Sequence, residues 1–500
     1  MKLSDLLRHA DALHVAGQTD LEVRDLRHDS RAVEPGDLFF ALPGSKTDGN
    51  RHAREAVAAG AVAVVSELAP PPAPVSLPAA WIQVADAALA MGRMADDFFS
   101  HPSGALRVVG VTGTNGKTTT TYFLESIARA AGGRPGVVGT VDYRLDGRLI
   151  AAAPNTTPAS LELQRLLARF REAGATLAAL EVSSHALALK RVEEVSFDAA
   201  VFTNLASDHL DFHKTREAYL EAKLRLFELL CRPGLAKPRR LAVINADDPA
   251  APAVRRAAEG SEVLLYGFAS GARLRAADLQ MGARGTRFDM LWGDRRLPAR
   301  ISLAARHNVS NALAASAAAL ALGWPEEAVL QGLSDLPRVP GRLEPVEAGQ
   351  DFSVLVDYAH TAMALETVLG HLAQVPHRRL ITVFGCGGDR DRSKRGPMGV
   401  AACRASDFAI VTSDNPRSED PQAIIADITA GLRTAGLKNY KIESDRGRAI
   451  ALAVGMAGPQ DIVLIAGKGH EAVQILKDRT AAFDDREAAR EALRKLDAKR

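Results

Sequence analysis

Residues 108–123 read VVGVTGTNGKTTTTYF, and the order of residue types in that run decides the fold around it. A β-branched apolar segment enters a glycine-rich turn, Lys117 follows the second glycine, and Thr118 to Thr121 open a helix. That order builds a phosphate cradle. Gly113 and Gly116 let backbone N–H groups approach an anion, Lys117 reaches the outer phosphates, and the helix N-terminus adds partial positive charge. Thr118 offers its hydroxyl to Mg²⁺. The spacing is shorter than the G-x-x-x-x-G-K-[ST] pattern, because Val111 stands five residues before Gly116. Such a site holds a nucleoside triphosphate, although the cradle alone leaves the use of the phosphate open. A plain strand–turn–helix rich in Gly and Thr is the blander reading.

Outward from the cradle, strands are expected at 107–111, 177–182, 199–205 and 241–245, separated by helical segments. That alternation implies a doubly wound, mainly parallel α/β sheet. A strand-like tract covers about 262–303, and an Ala-rich helix covers 308–322. Before the cradle, DLFFALPG and AVAVVSEL read as strands, ADAALAMGRMADDFF as a helix, APPPAPVSLP as a surface loop and HPSGAL as a linker. After LPRVPGRLEPV, four apolar strands each end in a polar loop: FSVLVDYAH, RRLITVFGCGG, DFAIVTSDNP and DIVLIAGKG. Ligands bind at the carboxyl ends of strands in such open sheets. Five hundred residues exceed one core, and the length suggests about three domains. We expect a small α/β domain at 1–101, a central P-loop domain at 102–338 and a Rossmann-like domain at 339–500.

Composition narrows the partners. With 62 basic against 60 acidic residues the net charge is +2, so no global field draws in nucleic acid. Cys231, Cys386 and Cys403 show no paired metal spacing, which fits free thiols in a reducing compartment. The first residues, MKLSDLLRHADAL, form a short amphipathic helix without an apolar signal core, and no apolar run reaches membrane-spanning length. A cytoplasmic monomer with no membrane and no nucleic-acid partner is expected.

Three further strand ends in the central block carry reactive groups. LEVSSH places Glu181, Ser183 and His185 beyond an apolar strand, and Glu181 suits Mg²⁺ either directly or through a neighbour. FTNLASDHLDFH supplies Asp208, His209, Asp211 and His213, where Asp208 as an N-cap and His213 as a surface residue are open alternatives. In TREAYLEAKLRLFELL, Tyr219, Leu226, Phe227 and Leu230 form an apolar stripe, and Lys223 lies on it. Lys223 is then either a snorkelling stem or a lysine neutralised by burial, able to take up CO₂ as a carbamate and so become an anionic metal ligand.

The last block adds a charged glycine loop, GCGGDRDRSKR, with Asp389, Arg390, Arg392, Lys394 and Arg395. SDNPRSEDP supplies Asp414, Asn415 and Arg417, with Pro416 stiffening the turn. Asp holds an ammonium and Arg holds a carboxylate bidentately, so the pair suits a zwitterionic amino acid. AGKGHE adds Lys468, His470 and Glu471, while Cys386 is read as structural.

GTNGKTTT, EVSSH, FTNLASDHLDFH, ARHNVSNALAA, PGRLE and DYAHT resemble, in this order, the motifs of the Mur ligases, the ATP-dependent amide-forming enzymes of peptidoglycan synthesis. DSRAVEPGDLFFALPG and DNPR resemble the member that adds the third residue of the stem peptide, in the form selecting meso-2,6-diaminopimelate. The resemblance implies ATP and Mg²⁺ as cofactors, UDP-N-acetylmuramoyl-L-alanyl-D-glutamate as the substrate whose carboxylate is activated, and meso-2,6-diaminopimelate as the incoming amine.

Its roles fall on matching residues. Gly113, Thr114, Asn115, Gly116, Lys117, Thr118 and Thr119 would bind ATP, with Asn308 near adenine, Arg342 on phosphate and Asp357 on ribose. Thr118 and Glu181 would serve one Mg²⁺; His209 and Lys223, as N6-carboxylysine, would serve a second. Catalysis would rest on Lys117, Glu181, His209 and Lys223. Ser30, Ser45, Lys46 and Thr47 would hold the uridine nucleotide, beside His28 in a usually apolar position. Asn155, Thr156, Thr157, Ser183 and Arg191 would hold the muramoyl dipeptide, with Leu189 replacing a usual Gln. Arg390, Asp414, Asn415, Pro416, Arg417, Gly467 and Glu471 would hold diaminopimelate. Ala362 and Met363 also depart from the family's DYAHTPD. The rivals are a lysine-adding ligase, folylpolyglutamate synthase and a P-loop ATPase acting as a switch.

Overall fold

The computed structural model describes residues 1–44, 48–70, 79–206, 208–234, 237–282 and 285–498. Ser45, Lys46, Thr47 and most of the Pro-rich loop lie outside the described residues. By contacts the chain divides into two compact units, one of residues 1–272 with 314–328, the other of 273–313 with 329–500.

The first unit contains two sheets. Nearer the N-terminus, five strands run in the order Ala12–Ala16, Ala80–Val84, Ala63–Ser66, Leu38–Ala41 and Leu26–Arg27, antiparallel at the first pair and parallel after it. Leu38, Phe40, Ala63, Val65 and Ile82 pack with Ala87, Met91 and Met94 of helix Ala87–Phe98 in one cluster. The second sheet orders its parallel strands Glu262–Gly267, Leu241–Asn245, Ala199–Phe202, Arg107–Thr112, Leu177–Glu181 and Pro135–Val138. Antiparallel strands Asp142–Leu145 and Arg148–Ala152 extend it at the edge. The cradle strand is therefore central, flanked on both sides by strands that carry candidate site residues at their carboxyl ends.

Why these residues form these elements is visible locally. Arg107–Thr112 is buried almost throughout, as a strand covered on both faces must be. Gly110 within it makes room for a ring, since a Cβ there would lie 2.7 Å from Phe197 Cε1. Helix Arg216–Cys231 starts where Thr215 Oγ1 accepts the N–H of Ala218 at 3.1 Å. It buries Tyr219, Lys223, Leu226, Phe227 and Leu230, the stripe read from its periodicity.

The second unit holds a six-stranded sheet in the order Glu344–Pro345, Ser353–Asp357, Ile462–Ala466, Leu380–Phe384, Phe408–Val411 and Tyr440–Ile442. All its pairs are parallel except the first. Leu274–Gly282, Gly285–Trp292 and Arg295–Ile301 form antiparallel pairs in the same unit. Helix Arg306–Ala321 covers the Ala-rich segment.

Several expectations shift at their ends. The expected strand 199–205 stops at Phe202, because Thr203, Asn204 and Leu205 turn to bond the cradle and Asp248. The expected linker HPSGAL contains a short helix, Pro102–Ala105, entered through left-handed Ser100 and His101. The edge strands at 142–152 were not foreseen; their alternation is too short to stand out.

Candidate active site

The cradle is backbone held open. Gly113 and Gly116 have φ of +148° and +89°, conformations that disfavour any side chain. A Cβ on Gly113 would also collide with Thr203 Oγ1. Thr203 Oγ1 and Asn204 Nδ2 donate to Asn115 O at 2.6 and 3.0 Å, and Asn115 N–H donates to Asn204 Oδ1 at 3.0 Å. Lys117 Nζ donates to Gly113 O and Thr114 O at 2.8 and 2.9 Å, so the ammonium lies over its own loop. Thr118 and Thr119 are buried at the start of helix Lys117–Ala130.

Glu181 meets this loop directly. Thr118 Oγ1 donates to Glu181 Oε2 at 3.0 Å, and Thr140 clamps the carboxylate with N–H to Oε1 and Oγ1 to Oε2, both at 2.9 Å. Gly139 permits that approach, since a Cβ there would strike Glu181 Oε1. A buried carboxylate beside a threonine hydroxyl is a hard-oxygen pair of the kind Mg²⁺ takes, and the glycine-lined cradle fits an anion, so these residues fit Mg²⁺–ATP.

Several of the dipeptide candidates are linked to the same residue, Glu181, through Thr140 or its backbone carbonyl. Thr140 Oγ1 lies 3.0 Å from Thr156 Oγ1, and Thr157 Oγ1 donates to Glu181 O at 2.8 Å. Ser183 Oγ caps helix Ser184–Ala188 through Ala186 N–H and lies 3.3 Å from Thr157 Oγ1. Arg191 Nη1 donates to Thr157 O at 2.8 Å, and Tyr143 Oη donates to Asn155 O at 2.9 Å. Leu189 is exposed and offers no polar group. His28 Nδ1 sits 3.1 Å from Glu162 Oε1, a contact that raises its pKa, and Ser30 Oγ donates to Glu55 Oε2 at 3.3 Å.

Lys223 is 1% exposed, which rules out the snorkelling reading. Burial, and then the nearby Lys117 charge, push its pKa well down, so its amine is held toward the neutral, nucleophilic form. The Tyr219 ring lies 4.2 Å from its Nζ, and Tyr219 Oη lies 3.2 Å from Thr114 Oγ1. His209, left-handed at φ +54°, packs edge-on to His185 at 4.8 Å and to Tyr219 at 6.1 Å between ring centroids. His213 is buried, with Nε2 3.0 Å from Ser184 Oγ, and is not the surface residue it could have been. Asp208 Oδ1 accepts the N–H of His209 at 2.9 Å.

In the second unit, Asp414, Asn415, Pro416 and Arg417 follow strand Phe408–Val411. Arg417 is left-handed at φ +53°, and its Nη1 donates to Gly388 O at 2.8 Å. Asn415 Nδ2 donates to Glu471 Oε2 at 2.8 Å. Gly467, at φ +117°, lets the next strand end press on this loop; a Cβ there would lie 2.6 Å from Asp414 Oδ2. Arg390 sits in the glycine loop after Leu380–Phe384, and its charge reaches the Tyr358 phenol. Asp357 accepts from Leu343 N–H and Ala359 N–H at 2.8 Å each, while the Arg342 guanidinium lies 5.1 Å from the Tyr358 ring centre. Asn308 is buried, its Nδ2 donating to Ala304 O at 2.7 Å. Cys386 is buried beside Met398, and burial pushes its thiol up to about 12, as suits an inert residue.

Sequence reading gave no role to Thr140, Tyr219 or Arg446. Thr140 stands outside any motif. Tyr219 counted as stripe, although its hydroxyl reaches the cradle. Arg446 lies in a helix remote in sequence, yet it is buried, donates to Asp485 at 2.6 and 2.7 Å, and reaches within 4.0 Å of Asp414.

Comparison with known proteins accords with this geometry. Residues 111–319 match the Mur ligase middle domain, 341–469 the Mur ligase glutamate ligase domain, and 22–99 the Mur ligase family catalytic domain. A UDP-N-acetylmuramoyl-L-alanyl-D-glutamate–2,6-diaminopimelate ligase from Solibacter usitatus is 48% identical over 95% of this chain and 94% of its own length. A solved structure of an enzyme of that name superposes with a TM-score of 0.70 at 33% identity, covering 100% of this chain and 99% of that one. MurF from Thermotoga maritima, solved in complex with ADP, shares the fold at a TM-score of 0.65 and 21% identity, over 96% of this chain and 100% of that one. With this identity sustained over nearly its whole length, the chain belongs to the Mur ligase family.

Proposed function

We propose that this chain is the ATP- and Mg²⁺-dependent ligase that joins meso-2,6-diaminopimelate to UDP-N-acetylmuramoyl-L-alanyl-D-glutamate in peptidoglycan synthesis. The observation that carries the reading is 48% identity over nearly the full length to a ligase of that name, and this chain's own Arg417 and Asn415 on one loop with Glu471 on the next suit a zwitterionic amino acid. It works as a cytoplasmic monomer. Among its described residues no helix is long and apolar enough to cross a membrane.

The reaction activates a poor acyl donor. The γ-phosphoryl group of ATP passes to the D-glutamate side-chain carboxylate, giving an acyl phosphate and ADP. The amine of diaminopimelate, having lost its proton, attacks the acyl carbon, and the tetrahedral adduct expels phosphate to leave the amide. Thr118 and Glu181 would hold one Mg²⁺, and His209 with Lys223 as its carbamate would serve a second; the metal would supply charge neutralisation at the crowded phosphates.

The chain's residues position and stabilise the rest. The 113–119 loop holds the phosphates, and Lys117 turns from its own carbonyls to the transferring group. Thr156, Thr157, Ser183 and Arg191 orient the muramoyl dipeptide, while His28, Ser30, Ser45, Lys46 and Thr47 hold its nucleotide. Asn308, Arg342 and Asp357 would serve ATP. Arg390 and Arg417 take carboxylate, and Asp414 and Glu471 take ammonium. Three functional domains, at 1–101, 102–338 and 339–500, would each hold one of the three substrates, and holding them in place would supply much of the acceleration.

Phosphate release measured against a panel of amino acids, with UDP-muramoyl dipeptide present, tests the reading. Release should require meso-diaminopimelate and be weak with lysine. Release that needs no amino acid would identify a nucleotide switch instead.

A further inference from the structure

Lys468 has no part in the roles above, yet it is completely buried. A buried ammonium is tolerated only where its hydrogens find acceptors. Lys468 Nζ donates to Val473 O at 2.6 Å, Asn415 Oδ1 at 3.0 Å and Glu471 Oε2 at 3.4 Å, which accounts for all three of its hydrogens. Asn415 Oδ1 also accepts the N–H of Ile475 at 3.0 Å.

Two donors on that oxygen fix the amide in one orientation. Its nitrogen must face the other way, and it donates to Glu471 Oε2 at 2.8 Å. One ammonium therefore sets the direction of Asn415 and shares with it the hold on Glu471. The backbone delivers Lys468 to this place, because left-handed Gly467 turns the chain against Asp414 as strand Ile462–Ala466 ends.

We infer that Lys468 is a positioning residue for the incoming amino acid: it orients Asn415 and Glu471 before diaminopimelate arrives. The inference rests on the reading of these loops as the diaminopimelate site. A lysine that merely ties down strand Val473–Ile475 would affect stability and all substrates alike. A positioning lysine affects one substrate, and it acts through Asn415.

The test is a double-mutant cycle in the full chain with steady-state kinetics for each substrate. Lys468→Met keeps the stem and removes the donors. It should raise the diaminopimelate KM about tenfold or more, the size expected when a buried polar partner is lost, and leave the KM for ATP and for UDP-muramoyl dipeptide nearly unchanged. Asn415→Ala should do the same, and the double variant should be no worse than Asn415→Ala alone, since the two act as one unit. Additive effects, or equal rises for all three substrates, would overturn the inference.

Should Lys468→Met not fold, Asn415→Asp decides. It keeps the acceptor for Lys468 but sets a carboxylate against Glu471, so the diaminopimelate KM should rise tenfold or more at unchanged Tm; an unchanged KM overturns the inference. The wild-type chain separates the two levels. If it does not consume diaminopimelate, the proposed reaction fails. If it does, and Arg417→Ala weakens it, but Lys468→Met keeps the wild-type KM, only the role of Lys468 falls.

Discussion

The phosphate cradle of the first unit and the amino-acid loops of the second both lie at carboxyl ends of parallel strands, but they are made of different material. The cradle is one continuous run, 113–119, and its working groups are backbone N–H donors, one lysine and one hydroxyl. The amino-acid loops come from three separate strand ends, after Leu380–Phe384, Phe408–Val411 and Ile462–Ala466. The last two are tied together by two buried cations, Arg446 and Lys468, and Arg417 joins the first by donating to Gly388 O. Phosphate recognition needs amides, which every residue carries, so a short contiguous motif suffices. Choosing one amino acid needs particular side chains at fixed spacing, and only tertiary packing provides that.

The largest effect should come from the metal side of the cradle. Lys223→Ala should lower kcat by about 10²- to 10³-fold, the scale of losing one preorganised electrostatic stabiliser, with partial recovery on adding short carboxylates. An active alanine variant would reduce Lys223 to packing. On the amino-acid side, Arg417→Ala strips a bidentate partner from a carboxylate and should cost about 2–4 kcal/mol in diaminopimelate binding while ATP is unaffected. Calorimetric titration of each substrate checks it, and equal losses for both would erase the division of labour.

The two regions should also differ toward acid. In the second unit burial pushes His307 down to about 3 and His470 down to about 4, and lowers His371. The unfolded chain binds protons at these imidazoles near the ordinary value of 6.5, whereas the folded chain does not. The stability they contribute is therefore full above pH 6.5 and lost as pH falls toward about 4 for His470 and about 3 for His307, on the order of 2 kcal/mol for each of the two by about pH 5. Urea unfolding at neutral and mildly acid pH measures this, and His307→Gln with His470→Gln should shrink the difference. The smallest effect concerns Thr140. Thr140→Val should weaken ADP–Mg²⁺ binding by about 1 kcal/mol, because Glu181 loses one of its donors, while Thr140→Ser should be nearly silent. Equal affinities for all three proteins would remove Thr140 from the site.

Much of this was legible in advance where chemistry and sequence are contiguous. The cradle, the strands at 107–112 and 241–245, and the helix bearing Lys223 follow from glycine placement, β-branched runs and 3.6-residue periodicity. What escaped reading depends on distance along the chain. Thr140 meets Glu181 across 41 residues, and Tyr219 meets Thr114 across 105. Periodicity says that Tyr219 faces inward, but not that its hydroxyl finds the cradle.

By itself the sequence determined a P-loop α/β protein, because local residue order dictates where backbone amides converge and which faces are apolar, and the resemblance of its motifs to the Mur ligases pointed to a ligase. Tertiary structure alone decided that Lys223 is buried rather than snorkelling, and that Lys468 lies beneath Asn415 and Glu471. Burial and hydrogen-bond partners are properties of neighbours, and those neighbours come from distant parts of the chain.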